Sequence, residues 1–188
     1  TFSSRITGTI TYGGSCTSGV TSAVSGDNTI TLNSLSEGTY SNCTIKVTDS
    51  SGNESNTLTI TSFTIDTTAP SLSEVTVVTT PSNDNTPNYT FSSSKAGTIT
   101  YSGSCSSGTT SAVSGNNTVT LNTLNDGTYS SCTISVRDNS SNTSVTLNIS
   151  SFIVDTTSPT VISTSGVDNS STNTTSISAT FSELIDNL

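Results

Sequence analysis

Apolar residues recur two apart along most of this chain. Tyr89 and Phe91, Ile99 and Tyr101, Val119 and Leu121, and Ile134 and Val136 each alternate with small polar residues. That is the period of a strand with one face buried. Across the segment 67–155 the pattern predicts strands at 72–80, 88–92, 97–102, 109–113, 118–121, 128–138 and 145–154. The stretches between them, including 81–87, 103–108, 114–116, 125–127 and 138–142, carry the Pro, Gly, Asn and Asp residues that favour turns. No apolar set recurs at three-and-four spacing over a useful length, so no helix is predicted. Seven short strands with turns roughly every 8–12 residues point to an all-β, Greek-key β-sandwich. Tyr129 is out of phase with Cys132, as Tyr40 is with Cys43, which predicts a bulge between them.

The pattern occurs more than once. Gly8 and Gly97, Cys16 and Cys105, Cys43 and Cys132, and Pro70 and Pro159 are each 89 residues apart. A fixed period of that size marks an array of similar domains. The expected division is a repeat lacking its first strand at 1–66, a complete repeat at 67–155, and the first strands of a third at 156–188. In the last segment Phe181 matches Phe91 once one residue is inserted, with Ile177, Ala179 and Phe181 inward, while the FSELIDN ending departs from its counterpart. The chain reads as a window on a longer polypeptide.

Composition narrows the setting. Ser and Thr make up about 44% of the residues, charged residues 9% and apolar residues 29%, with no Met, Trp or His. Such a composition alone fits disorder, but Thr is β-branched and favours strands, and the alternation is regular. A folded chain with a thin core follows. The net charge is −9, with Arg5, Lys46, Lys95 and Arg137 the only positive side chains. That argues against a nucleic-acid partner, which needs a basic surface, and gives no attraction to anionic lipid. No stretch is long and apolar enough to insert in a membrane. The acidity suggests calcium as a partner, and it is equally ordinary for an extracellular protein.

Four cysteines allow three pairings. The repeat favours Cys16–Cys43 and Cys105–Cys132, because each unit then holds its own pair. Zinc has no His and no Cys-x-x-Cys spacing to support it. Disulfides imply an oxidising compartment, hence secretion or surface display.

The carboxylates lie in turns and linkers: Asp66 and Asp155 in the linkers, Asp49 and Asp138 opening hairpin loops, Asp84 in the first turn, Glu37 and Asp126 before the Gly-Thr-Tyr strands. In a seven-strand sandwich alternate loops fall at opposite ends. Asp84 and Asp126 are then expected beside Asp155, and Asp138 with Asn142 beside Asp66. Oxygen-only clusters suit Ca²⁺, which takes six to eight oxygens, and binding there would stiffen a joint between domains. Local turn chemistry accounts for the same residues without a metal. A catalytic reading has little to stand on: there is no His for a triad, no Gly-rich phosphate loop, and no base beside the serines.

The GTITY segment, the LNDGTYSSCTISVRDNSSN stretch and the closing FIVDTTSP resemble tandem bacterial immunoglobulin-like (Big-type) repeats, which form stalks of large extracellular adhesins and surface proteins. The Leu-x-x-Gly-Thr-Tyr pattern resembles the tyrosine corner of immunoglobulin-like sandwiches. The resemblance implies calcium at domain junctions, carried here by Asp66, Asp84, Asp138 and Asp155. Asn142 keeps the Asn of the loop motif, but Ser141 replaces its Gly. The cysteine pair departs from many such repeats. The expected function is a non-enzymatic, extended stalk or spacer whose partners are neighbouring repeats. The alternative is a filament subunit, in which strands are donated between copies.

Overall fold

The computed structural model describes residues 1–166 and 177–182. It is all-β, with no helix among the described residues, and consists of several small antiparallel sheets and two disulfides. The chain divides into two compact units, 1–68 and 69–188.

The first unit contains β1 (Phe2–Ser4), β2 (Gly8–Gly13), β3 (Ser22–Ala23), β4 (Gly26–Asn28), β5 (Gly38–Tyr40), β6 (Thr44–Thr48), β7 (Leu58–Thr59) and β8 (Phe63–Ile65). One sheet has the order β3-β2-β6-β7, and β1 pairs with β4 and β5 with β8.

The second unit opens with β9 (Leu72–Thr76). Then come β10 (Asn88–Ser93), β11 (Gly97–Ser102), β12 (Ser111–Ala112), β13 (Gly115–Thr120), β14 (Gly127–Tyr129), β15 (Thr133–Asp138), β16 (Leu147–Asn148) and β17 (Phe152–Val154). Its sheets are β12-β11-β15-β16, β13-β10-β9 and the pair β14-β17. A hairpin of β18 (Val161–Gly166) and β19 (Ile177–Phe181) follows. The predicted FSELIDN ending lies outside the described residues after Ser182.

The 89-residue period holds in the hydrogen-bond ladders. Gly8 pairs with Ala23 as Gly97 does with Ala112, Ile10 with Val47 as Ile99 does with Val136, and Gly38 with Ile65 as Gly127 does with Val154. Register that repeats with the sequence puts the same alternate residues inward in both units, because a slip of one residue would invert every face.

In the second unit, side chains from all three sheets meet in one core. Tyr89 and Phe91 come from β10, Val119 from β13, Ile99 from β11, Ile134 and Val136 from β15, and Phe152 and Val154 from β17. Of these, Tyr89, Phe91, Ile99, Val119, Ile134 and Val136 are residues whose two-residue spacing predicted burial. The first unit's core is smaller: Ile10, Ala23, Ile45 and Val47 are buried, with Phe2, Tyr12, Ile30 and Ile60 packed against them.

Two predicted strands are each broken in two. The segment predicted at 128–138 splits into β14 and β15, separated by 130–132, because its first part pairs with β17 and its second with β11. The segment predicted at 145–154 splits into β16 and β17, which pair with β15 and β14 respectively. Each change of partner requires the backbone to leave one sheet and enter another. The out-of-phase Tyr129 marks the first of these crossings.

The expected turn at 114–116 is displaced, since β13 already begins at Gly115. Asn117 fixes that corner. Its Oδ1 accepts from the Val113 N–H at 2.7 Å, and its Nδ2 donates to the carbonyls of Val113 and Gly115 at 2.9 Å each. Asn28 makes the equivalent three bonds in the first unit.

Candidate functional site

The disulfides sit where β2 and β11 run out. Cys16 bonds Cys43 and Cys105 bonds Cys132, with Cα–Cα distances of 5.3 and 5.2 Å and a sequence separation of 27 in each pair. All four cysteines are buried. Gly103 makes the approach to the second bridge possible. Its φ is +78°, and a Cβ there would overlap the Ser131 carbonyl oxygen beside Cys132. Gly14 stands in the same relation to Asn42. Glycine alone meets both demands at little cost.

The carboxylates fall into two recurrent arrangements. The first is a hairpin loop closed on its own aspartate. Asp138 Oδ1 accepts from the backbone N–H of Ser140 at 3.0 Å and of Asn142 at 2.9 Å, and the Asn142 amide donates to Oδ2 at 3.2 Å. Lys95 Nζ stands 3.2 Å from Oδ2. Burial pushes the Asp138 carboxyl upward, but the Asn142 bonds and the Lys95 ammonium outweigh it, and the pKa lies below the ordinary aspartate value. Asp49 closes the matching loop through Ser51 and Asn53, and the Asn53 amide lowers its pKa most.

The second arrangement ties the turn before the Gly-Thr-Tyr strand to the segment after the unit's last strand. Asp126 Oδ1 accepts from the N–H and hydroxyl of Thr156 at 2.9 and 2.7 Å, and Oδ2 accepts from the Thr157 hydroxyl at 2.7 Å. Those bonds, the Thr156 hydroxyl first, lower the Asp126 pKa. In the first unit Glu37 Oε1 accepts from the Thr67 N–H and from the hydroxyls of Thr67 and Thr68, at 2.6–2.8 Å.

The remaining candidates cap their own turns. Asp84 Oδ1 accepts from the Thr86 N–H at 2.8 Å, Asp66 Oδ1 from the Thr68 N–H at 3.2 Å, and Asp155 Oδ1 from the Thr157 N–H at 3.1 Å. Of the predicted calcium set, Asp138 and Asn142 meet directly. Asp126 and Asp155 meet through Thr157, and the turn holding Asp84 reaches Asp155 through the Ser82 carbonyl, which accepts from the Asp155 N–H at 2.9 Å. Asp66 belongs to the other unit. Among the described residues no group of three or more His, Cys, Asp or Glu is placed to hold a metal ion.

The tyrosines that resemble a tyrosine corner bond as such corners do. Tyr129 donates its hydroxyl to the Asn125 carbonyl and Tyr40 to the Ser36 carbonyl, each at 2.9 Å and four residues upstream. Each ring also stacks on the last strand of its unit: Tyr129 on Phe152 with centroids 5.2 Å apart, Tyr40 on Phe63 at 5.4 Å. Sequence reasoning passed over Asn28 and Asn117. Their one signal was the Ser-Gly-x-Asn shared by the two units, at 25–28 and 114–117.

Two disulfides fit an oxidising compartment, and among the described residues no helix is long and apolar enough to cross a membrane. Comparison with protein-family models and with curated proteins finds no match to either.

Proposed function

We propose that the chain is a run of tandem immunoglobulin-like Greek-key β-sandwich repeats from an extracellular or cell-surface protein, serving as an extended stalk or spacer with a structural and adhesive role. The observation that carries this reading is the repetition of strand set, register and disulfide at 89-residue intervals. A spacer needs length built from equal modules that resist unfolding one by one. Each unit here closes its thin core with a private covalent bond. Each also secures the start of the following linker with a carboxylate on two threonines. Neighbouring repeats are its partners in this reading, and the net charge of −9 disfavours nucleic acid.

Calcium has a smaller part in the proposal. A calcium ion would need six or more oxygens, and Asp126, Asp138 and their counterparts already accept bonds from hydroxyl and amide groups. In this proposal those hydrogen bonds brace the loops, and calcium is the alternative source of stiffness. Small-angle scattering on the oxidised chain, with calcium and with chelator, tests the proposal. An elongated particle that keeps its length in chelator supports a hydrogen-bond-braced stalk. A compact particle contradicts the stalk, and an elongated one that loosens in chelator restores calcium to the account.

A further inference from the structure

In the second unit the opening and closing segments of the fold lie side by side and run the same way. β9 first lies along β10, with Leu72 opposite Ser93 and Thr76 opposite Thr90. The chain then leaves β10 and crosses to β17, where Ser82 bridges Val154 in parallel. Hydrogen bonds follow the crossing. The Ser150 N–H donates to Glu74 Oε2 at 2.9 Å and its hydroxyl to Oε1 at 2.6 Å. The Ile153 N–H donates to Thr80 Oγ1, the Ser82 N–H to the Ile153 carbonyl, and the Asp155 N–H to the Ser82 carbonyl, each at 2.9 Å. Val78, midway along the crossing, is buried in the same core as Phe152 and Val154.

We infer that the contacts between 74–82 and 150–155 form a mechanical clamp, the element that sets how fast this unit unfolds under tension. The inference rests on the stalk reading and names the part of the unit that bears its load. Tension along a tandem chain enters this unit before Leu72 and leaves after Asp155. It draws the opening segment back toward its own N-terminus and the closing segment forward toward its C-terminus. Because the two segments are parallel, those pulls oppose each other along one shared axis, and the segments have to slide past each other. Sliding strains the bonds between them together, whereas a hairpin pulled open at its end loses its bonds one at a time. Each neutral bond is modest alone. The Glu74 carboxylate adds a charge-assisted pair, and bonds of that kind are stronger. Forced unfolding follows the height of this barrier and not the equilibrium stability. The Asn117 corner provides the contrast. It fixes the approach to β13 through Val113 and Gly115, away from the sliding segments, so it contributes to stability without contributing to the clamp.

The test is constant-force unfolding of the oxidised full chain and its variants, with chemical denaturation of the same proteins alongside. The second unit's step is recognised by its greater release of chain. Thr80→Val removes the acceptor of the Ile153 N–H with little change of shape. It should raise the second unit's unfolding rate under tension about tenfold, the kinetic equivalent of one lost bond. Glu74→Gln should raise the rate in the same direction. Asn117→Ala should lower chemical stability yet leave the rate under tension unchanged. Thr118→Val, which removes the 2.9 Å bond between the Thr90 and Thr118 hydroxyls, is a milder variant off the clamp with the same expected outcome under tension. Unchanged rates in both Thr80→Val and Glu74→Gln would overturn the clamp and leave the stalk standing, as would an equal rise in Asn117→Ala and Thr118→Val. Gradual unravelling of the unaltered chain at low force would contradict the clamp and the stalk together.

Discussion

Asp126 Oδ2 accepts a hydrogen bond from the Thr157 hydroxyl at 2.7 Å, across 31 residues of sequence. In the first unit Glu37 binds Thr68 across the same 31 residues at 2.6 Å. The longer side chain does the same job with one oxygen that Asp126 does with two. The clasp therefore depends on a carboxylate at that turn and hydroxyls in the linker, and tolerates a change of side-chain length. Asp126→Ala should speed amide exchange at Thr156, whose N–H donates to Asp126 Oδ1, while leaving the β11–β15 ladder protected. Unchanged exchange at Thr156 would show that the clasp does not hold the linker.

The depressed carboxyls fix the sign of the pH dependence. Asp49, Asp126 and Asp138 all sit below the ordinary aspartate value of 3.8. The folded chain therefore binds fewer protons than the unfolded chain in this range, and stability rises with pH. Their contribution is fully present above the ordinary value and is lost as pH falls through the lower, folded values. The thermal midpoint should hold steady from neutrality down to about pH 5 and then fall as the pH drops below about 4. Replacing Asp126 and Asp138 with Asn should flatten the acid limb. A midpoint that rises on acidification would contradict the assignment.

Much of this fold was legible because its strands obey a strict alternation. Tyr89 and Phe91, Val119 and Leu121, and Ile134 and Val136 declared their buried face by spacing alone. The partner switches were harder to read. Nothing local to 145–154 indicates that Leu147 pairs with Ile134 and Phe152 with Tyr129, because that choice belongs to the sheets. The carboxylates were legible as turn residues, but their hydrogen-bond partners were not. A cluster of loop aspartates suggests a cation, whereas the partners of Asp126 are two threonines some 30 residues away, hidden among the 44% of residues that are Ser or Thr.

Asn117 offers a direct check on a residue that the sequence did not single out. It is only 8% exposed and satisfies three backbone groups at the corner leading into β13. Asn117→Ala leaves the Val113 N–H and two carbonyls short of partners, at a cost of about 1–3 kcal/mol. Chemical denaturation of the variant should show that loss with an unchanged denaturant slope. A loss below about 0.5 kcal/mol would mean that water replaces the side chain freely.

Single-molecule force extension of the chain held at its two ends tests most directly whether these units are built to carry tension. The account predicts that the second unit unfolds in one discrete step while its disulfide is intact, with the loop closed by Cys105 and Cys132, 27 apart in sequence, kept out of the gain in length. Reduction should lengthen that step by about 90 Å, the extended reach of that loop, and lower the unfolding force as the bridge's stabilisation of about 3–4 kcal/mol is lost. Gradual unravelling at low force in the oxidised chain, or a step indifferent to reduction, would contradict a stalk of disulfide-closed modules.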